Sequence, residues 1–256
     1  MLAIERRNGI LEKLQVERRV VVSELSQFYD VSDETIRRDL EKLETAGYAI
    51  KSYGGAVINE NENIDLPFNI RKKHNIAGKR IIADLISDTI QDGDSIMLDA
   101  SSTAVYIVKA LKEKEKKNLT IVTNSVEIII ELQEQENWTV ILTGGIARAN
   151  TFVLVGTQTD KMLASYRVKT AIISCKGLEF GVGFTDTDEL HAQNKRTMLD
   201  AGKQKILAID SSKFDKSAFV IVGALKDVSQ IVTDQKPKER YLQAFAEAGV
   251  TCTYPV

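Results

Sequence analysis

From residue 76 onward, short apolar runs alternate with segments of helical pattern, and this alternation limits the fold of the 256-residue chain more than any other feature. The apolar runs are SIMLD, LTIVT, WTVILTG, KTAIISC, KILAID and QIVTD, and helical patterns follow most of them. Parallel neighbouring strands need a crossover connection, which is usually a helix. The pattern therefore predicts an α/β fold over residues 76–256, with a mainly parallel sheet covered by helices.

The first 58 residues follow a different pattern, in which short helices predominate. A first helix has an apolar stripe formed by Ile4, Ile10, Leu11 and Leu14. A β-branched run at 20–22 precedes a second helix, for which Ser23 is the expected N-cap. After a turn at 29–31, Ser32 is the expected N-cap of a third helix. Two short helices joined by a tight turn predict a helix-turn-helix, whose second helix enters the major groove of DNA.

Charge alone does not predict DNA binding here. The chain has a formal net charge of −2, and residues 1–58 contain nine Lys or Arg against ten Asp or Glu. The charges of the third helix must therefore be sorted by face, at roughly 100° per residue. Ile36, Leu40 and Leu43 share the expected core face. A second face carries no acid and consists of Thr35, Arg38, Lys42 and Thr45. A third face has Glu34, Glu41 and Glu44 around Arg37. We expect Arg37 to bond either Glu41 or DNA.

A basic hairpin is predicted directly after the third helix. Gly47 is expected to end that helix, and residues 49–57 place apolar positions on both sides of a Gly-rich tip. The alternative is an ordinary solvated helix and turn, but the ordered combination of cap, sorted faces and hairpin favours DNA recognition. The predicted DNA-binding residues are Ser23, Ser32, Thr35, Arg37, Arg38, Lys42, Lys51 and Tyr53.

The stretch VSDETIRRDLEKLETAGYAIKSYGGAV resembles the winged helix-turn-helix signature of DeoR-type bacterial transcriptional repressors. The resemblance implies that residues 1–58 bind double-stranded operator DNA. It also implies a homo-oligomer, either a homodimer or a homotetramer, that represses genes of sugar metabolism. Residues 59–75 are polar, contain Pro67 and end in a basic segment, so we expect them to form a linker between the two domains.

Small polar residues follow four of the predicted strands, in the segments DASST (99–103), TNS (123–125), TGG (143–145) and DSSK (210–213). In open α/β sheets, ligands bind outside the carboxyl ends of the strands. Backbone N–H groups and hydroxyls at helix starts hold anions, and an ammonium suits phosphate. Each segment alone is typical of an N-cap or a turn, but the four together predict a phosphosugar-sized pocket.

The resemblance extends to these segments and covers nearly the whole chain. It implies an effector domain similar in fold to ribose-5-phosphate isomerase, with a phosphorylated sugar or related metabolite as ligand. The pair Ala100-Ser101, which stands where many members have a residue followed by Gly, and also Thr170 and Lys176 depart from the family pattern, which leaves the identity of the ligand open. The predicted effector-binding residues are Asp99, Ser101, Ser102, Thr103, Asn124, Ser125, Gly144, Gly145, Lys176, Glu189, Lys195, Asp210 and Lys213, and Arg196 belongs to the same family motif as Lys195.

A rival hypothesis is an isomerase-like enzyme joined to a DNA-binding module. Asp99, Glu189 and Asp210 are candidate general bases for it, whereas His74 and His191 are expected at the surface. The sequence shows no metal-ligand spacing, nucleophile elbow or P-loop. We therefore predict binding rather than catalysis, with no metal and no cofactor. The sequence leaves open whether the protein represses or activates transcription.

Cellular location is indicated by three features. The N-terminal segment is charged and helical in pattern rather than typical of a signal peptide. No apolar run is long enough to span a bilayer. Cys175 and Cys252 do not form a disulfide framework, and Cys175 is expected to be buried in a strand. These features predict a cytoplasmic protein that has no contact with membranes.

Overall fold

A computed structural model describes residues 1–59, 66–148 and 151–255 of the chain. Residues 1–71 and residues 72–256 form two compact units, and the division falls within the predicted linker at 59–75. Much of the linker's polar part, residues 60–65, lies outside the described residues.

The first unit is a winged helix-turn-helix, as predicted. Its three strands form an antiparallel sheet in the order β1-β3-β2. A short helix, α4 (Phe68–Lys73), runs from this unit into the second. The other elements are α1 (Ala3–Glu17), β1 (Arg19–Val21), α2 (Val22–Tyr29), α3 (Asp33–Thr45), β2 (Ala49–Ser52) and β3 (Gly55–Ile58).

The predicted core face of α3 is confirmed, because Ile36, Leu40 and Leu43 are all buried. They pack in one cluster with apolar residues of α1, including Ile10 and Leu14. The predicted stripe on α1 was wrong at one position, since Ile4 is 59% exposed. Ile4 lies in the first turn of α1, whereas the apolar residues of α1 that pack in the core begin at Ile10.

The predicted cap of α2 was also wrong. The helix begins at Val22, with Val21 in the N-cap position and no side-chain capping bond, so Ser23 lies exposed in the first turn. Val22 is buried, and its amide donates to the carbonyl oxygen of Gly54. Burial of an apolar side chain and a satisfied amide therefore replace the polar cap, and the helix starts one residue earlier than expected.

The two ends of α3 are confirmed. Ser32 Oγ accepts a hydrogen bond from the Thr35 amide at 3.3 Å, which caps the N-terminus. Gly47 adopts φ +80° just after the helix, a conformation that glycine tolerates and other residues disfavour. The amides of Gly47 and Tyr48 bond back to the carbonyl oxygens of Glu44 and Leu43 and close the C-terminus.

The second unit contains the predicted sheet. Its helices are α5 (Ile76–Thr89), α6 (Ser102–Glu113), α7 (Val126–Glu131), α8 (Thr157–Ala164), α9 (Glu189–Ala201) and α10 (Glu239–Glu247), with 3-10 turns at Ser211–Lys213 and Leu225–Asp227. Its strands are β4 (Ser95–Leu98), β5 (Thr120–Thr123), β6 (Thr139–Leu142), β7 (Ile146–Arg148), β8 (Val153–Val155), β9 (Val168–Ile173), β10 (Gly177–Glu179), β11 (Gly183–Asp186), β12 (Gly202–Ala208), β13 (Val220–Gly223), β14 (Gln230–Val232) and β15 (Thr251–Thr253).

Seven strands form a wholly parallel sheet in the order β15-β14-β12-β9-β4-β5-β6. Every predicted strand is present, so the α/β fold class is confirmed. The central strands are apolar on both faces, and Met97, Ile172 and Leu207 are fully or almost fully buried. Two smaller antiparallel sheets, β10-β11-β13 and β7-β8, were not predicted, since their strands are only three or four residues long and show no clear period.

The strand order decides which polar segments meet. β12, β9, β4, β5 and β6 are consecutive in the sheet, so the segments that follow them lie along one edge. The segment after β9, residues 174–176, lies between the segments that follow β12 and β4. Among the described residues, no helix combines the length and the apolar character needed to cross a lipid bilayer.

Candidate DNA-binding surface and effector site

The two arginines of α3 are exposed and each pairs with an acid one turn earlier. Arg37 Nη2 lies 3.8 Å from Asp33 Oδ2, and Arg38 Nε lies 3.3 Å from Glu34 Oε1. Of the two partners expected for Arg37, Glu41 was wrong, because Arg37 pairs with Asp33, and contact with DNA stays a prediction. The expectation that the acids do not neutralise the Arg38 face was wrong, because Glu34 pairs with Arg38. An acid four residues before a base is the favoured helical pair. Exposed pairs of this kind contribute little stability, so both arginines remain able to exchange their partners for phosphate.

The predicted hairpin is present, and its lysine is bound to the helix. Lys51 Nζ lies 3.6 Å from both Glu41 and Glu44, and its amide donates to Glu44 Oε1 at 2.8 Å. Tyr53, at the hairpin tip, is fully exposed. These contacts hold β2 against α3, while the tip extends beyond them.

A buried acid on α3 was missed. Asp39 is 3% exposed and accepts from Arg6 Nε at 2.5 Å and from Arg7 Nη1 at 3.4 Å. These bonds orient α3 on α1, because both arginines belong to α1. The signal in the sequence was an acid next to Leu40 on the core face, which requires a buried partner.

In the second unit, Asp99 at the end of β4 joins two strands. Its Oδ2 accepts from the Ser174 amide at 2.9 Å, and its Oδ1 accepts from the Ser101 amide at 3.2 Å. Ser101 Oγ in turn caps α6 by accepting from the Ala104 amide. Ser102 and Thr103 lie buried in the first turn of this helix. Asp99 therefore shapes the loop rather than presenting a free carboxylate.

Lys195, on α9, forms the centre of a buried ionic cluster. Its ammonium donates to Asp186 Oδ2 at 2.5 Å and to the Ser174 carbonyl oxygen at 2.7 Å, and lies 3.5 Å from Asp99 Oδ2. Burial opposes the charges, but Asp186 and Asp99 outweigh it and raise the pKa of Lys195. Burial likewise opposes ionisation of Asp186, but Lys195 and the half-buried Lys176 lower the pKa of that carboxyl.

Asp186 was not predicted, because the segment TDTDE offers three neighbouring acids and the sequence does not show which one points inward. Glu189, the acid that was predicted, is exposed and bonds Arg196 at 3.0 Å instead of joining the Lys195 cluster.

Asp210 and Lys213 meet beyond the end of β12. Asp210 is 2% exposed and accepts from the Ser212 amide at 3.0 Å and from its hydroxyl. Burial opposes ionisation, but Lys213 and the Ser212 bond lower the pKa of Asp210. Partial burial, with Lys213 and Lys79 nearby, lowers the pKa of His74. Within the part of the chain that the structure describes, the Lys213 ammonium has neither an ion pair nor a hydrogen bond.

The segments after β5 and β6 are also adjacent. Asn124 donates to the carbonyl oxygen of Leu154 at 3.0 Å and to Asn194 Oδ1 at 3.1 Å. Ser125 Oγ caps α7 by accepting from the Ile128 amide. Gly144 and Gly145 are exposed directly after the buried Thr143. A separate groove of about 230 Å³, lined by Phe180, Leu225 and Tyr241 among others, contains none of the predicted residues.

Comparisons with known proteins match both units. Residues 6–62 match the DeoR-like helix-turn-helix domain, and residues 74–235 match the DeoR C terminal sensor domain. The HTH-type transcriptional regulator YulB of Bacillus subtilis is 37% identical over 253 residues, covering 99% of this chain and 97% of YulB. The L-fucose operon activator of Haemophilus influenzae is 33% identical, covering 93% of this chain and 94% of the activator. The glycerol-3-phosphate regulon repressor of Escherichia coli is 27% identical, covering 96% and 97%.

Among solved structures, ribose 5-phosphate isomerase A of Methanocaldococcus jannaschii matches 53% of this chain and 53% of its own. The identity is 18% and the TM-score is 0.38.

Proposed function

This chain belongs to the DeoR family of helix-turn-helix transcriptional regulators, and we propose that it represses genes of carbohydrate metabolism until a phosphorylated sugar binds its second unit. It is a regulator and not an enzyme. Relatives include both an operon activator and a regulon repressor, so the direction of the response is part of the proposal.

The DNA-binding part of the proposal is supported by α3 and the hairpin. Arg37 and Arg38 lie exposed on α3, and their pairs with acids are of the weak surface kind. Phosphate contacts from such arginines position the helix, and contacts with base edges specify the sequence. One DNA-binding unit has no net positive charge, so two copies on two half-sites are proposed, as a homodimer or homotetramer. The proposed location is the cytoplasm.

The effector part is supported by one observation: among the described residues, the Lys213 ammonium forms no hydrogen bond and no close ion pair, although it lies near enough to the Asp210 carboxylate to lower the pKa of that group. To act as the principal phosphate ligand, Lys195 would have to break its ion pairs with Asp186 and Asp99. Breaking a buried ion pair costs about 3–5 kcal/mol. Lys213 follows Asp210, whose carboxylate suits ligand hydroxyls. Backbone amides in the first turns of α6 and α7 add a favourable field for an anion.

The proposed mechanism is a shift between two states. The ligand orders the loops at the edge of the sheet, and this ordering changes the spacing of the paired DNA-binding units. The altered spacing no longer matches the two half-sites. Such a shift requires that the ligand binds the two states with different affinity.

The test compares the wild type with Lys213→Ala in a thermal-shift screen of phosphorylated sugars, with operator binding measured by gel shift. We expect the ligand-induced rise in Tm to be lost in Lys213→Ala, while operator binding without ligand is retained. Lys203→Ala is the matched control, because Lys203 is an exposed lysine near the start of β12, the strand whose far end leads to Lys213. If no phosphorylated sugar shifts the Tm of the wild type, the effector class is wrong. If Lys213→Ala responds like the wild type, Lys213 is not the phosphate ligand.

A further inference from the structure

Two buried oxygen atoms at the ends of neighbouring strands have no hydrogen-bond partner among the described residues: Asn124 Oδ1 and Thr143 Oγ1. Asn124 is 3% exposed and Thr143 is 2% exposed. Thr123 and Leu142 are partners in the parallel pairing of β5 and β6, so the residues that follow them are neighbours on one face. Buried polar groups are nearly always hydrogen-bonded, and each exception calls for an explanation.

The orientation of the Asn124 amide follows from the groups to which it donates. Its Nδ2 donates to the carbonyl oxygen of Leu154 and to Asn194 Oδ1, both of which are acceptors. Asn194 is oriented in turn, because its Nδ2 donates to Asp160 Oδ1 at 2.6 Å. Asn124 Oδ1 is therefore left as an acceptor that only a hydrogen-bond donor can satisfy.

The two oxygens lie next to an exposed glycine pair. Gly144 and Gly145 are exposed, and no atom lies within 4 Å of the position that a Cβ on Gly144 would occupy. An incoming ligand can approach the backbone of Gly144 closely. Thr143, whose buried hydroxyl has no partner among the described residues, directly precedes this glycine in the chain.

We propose that Asn124 and Thr143 recognise hydroxyl groups of the effector, and that the effector is a phosphorylated sugar or sugar alcohol rather than a phosphorylated sugar acid. This assignment rests on the proposed function and specifies the end of the ligand that lies away from its phosphate. A ligand hydroxyl donates to Asn124 Oδ1 and exchanges a hydrogen bond with Thr143. A ligand carboxylate has no proton to donate, and the half-buried carboxylate of Asp160, joined to Asn124 through Asn194, repels it.

The deciding variant is Thr143→Val, which replaces the hydroxyl by a methyl group of similar size. The wild type and the variant are titrated with two pairs of ligands, and the members of each pair differ at one carbon. The pairs are glycerol 3-phosphate with 3-phosphoglycerate and glucitol 6-phosphate with 6-phosphogluconate. A panel of sugar phosphates of three to six carbons is titrated in the same way. Thr139→Val is the control, because Thr139 is an exposed threonine at the start of β6, the strand that Thr143 follows.

We expect two changes in Thr143→Val that a merely structural hydroxyl would not produce together. Without ligand, its Tm rises, because an unsatisfied buried hydroxyl is removed. With the ligand that stabilises the wild type, the affinity falls by about tenfold, as for one lost hydrogen bond of ordinary strength. Thr139→Val changes neither quantity, and each phosphorylated alcohol binds the wild type more tightly than its matched acid.

The outcomes separate this proposal from the function on which it rests. If the wild type responds to phosphorylated sugars and Thr143→Val responds equally, the hydroxyl site is refuted while the effector class stands. If the phosphorylated acids bind best, the selectivity is refuted. If no phosphorylated compound in the panel shifts the wild type, the proposed effector class fails, and the hydroxyl site fails with it.

Discussion

The ammonium of Lys195 lies 2.5 Å from Asp186 Oδ2; the Asp186 side chain is inaccessible to solvent, and the Lys195 side chain is 12% exposed. This pair connects α9 to the end of β11, next to the central strands of the large sheet. Because Asp99 lies 3.5 Å from the same ammonium, one lysine compensates two buried carboxylates. The cluster is thus a structural junction beside the proposed phosphate site, which Lys213 rather than Lys195 supplies with an available positive charge.

Replacing Lys195 with methionine is expected to lower the free energy of unfolding by about 3–5 kcal/mol at pH 7, because Asp186 and Asp99 then remain buried without a cation. Urea denaturation of the second unit measures the loss. The double variant Lys195→Met/Asp186→Leu should recover part of it, because the acid closest to the lost ammonium is gone. A single variant as stable as the wild type would contradict the role of the cluster.

The pH dependence of stability should differ between the wild type and Lys195→Met. In the wild type, the folded-state pKa of Asp186 lies below its ordinary value, so its contribution is present above about pH 4 and is lost as the pH falls further. Without Lys195, burial becomes dominant and raises that pKa. Acidification from pH 7 to pH 5 should then stabilise the variant relative to the wild type, which denaturation series at both pH values can measure.

Lys213 should control the titration of His74. Partial burial, followed by the charges of Lys213 and Lys79, lowers the pKa of His74 in the folded protein. An unfolded histidine binds its proton at about pH 6.5, so this lowering costs stability as the pH falls through that value. In Lys213→Ala the pKa of His74 is expected to rise. Proton NMR titration of the imidazole, assigned with a His191→Gln variant, measures the pKa of His74. An unchanged pKa would show that the Lys213 ammonium does not act on His74.

Arg38→Ala is expected to weaken operator binding by roughly 1–3 kcal/mol if its guanidinium contacts a base. The variant also leaves Glu34 without its partner 3.3 Å away, which adds repulsion toward phosphate. Lys13→Ala on α1 is the control, since it removes one positive charge from the same unit and breaks a similar surface pair with Glu17. Equal affinities of Arg38→Ala and the wild type in a gel-shift titration would exclude Arg38 from the DNA interface.

The two serines that were predicted as caps should respond differently to alanine. Ser32→Ala removes the bond to the Thr35 amide and should cost about 1 kcal/mol of stability in the first unit. Ser23→Ala removes no capping bond, because the helix starts at Val22, so its effect should stay within roughly 0.5 kcal/mol. Thermal unfolding of both variants measures the two losses of stability. Equal losses would mean that Ser23 does act as a cap.

The sequence by itself determined the helix-turn-helix of the first unit and most strands of the large sheet, but not the two smaller sheets. The core face of α3, the Ser32 cap and Gly47 were recognisable because helical periodicity, capping and left-handed turns depend on residues a few positions apart. Six of the seven strands of the large sheet were recognisable because strands buried on both faces are nearly continuous apolar runs, whereas the partly exposed edge strand β15 was not predicted. The family signature in residues 31–57 depends on the same local order.

Only the tertiary structure decided which charges meet. Asp39 is compensated by Arg6, 33 residues away, and Asp99 accepts from Ser174, 75 residues away. Asp186 rather than Glu189 reaches Lys195, since the end of β11 and the face of α9 are brought together by the chain's crossovers. Pairing energies of buried charges depend on distance in space and on exclusion of water, and neither quantity follows from spacing along the chain.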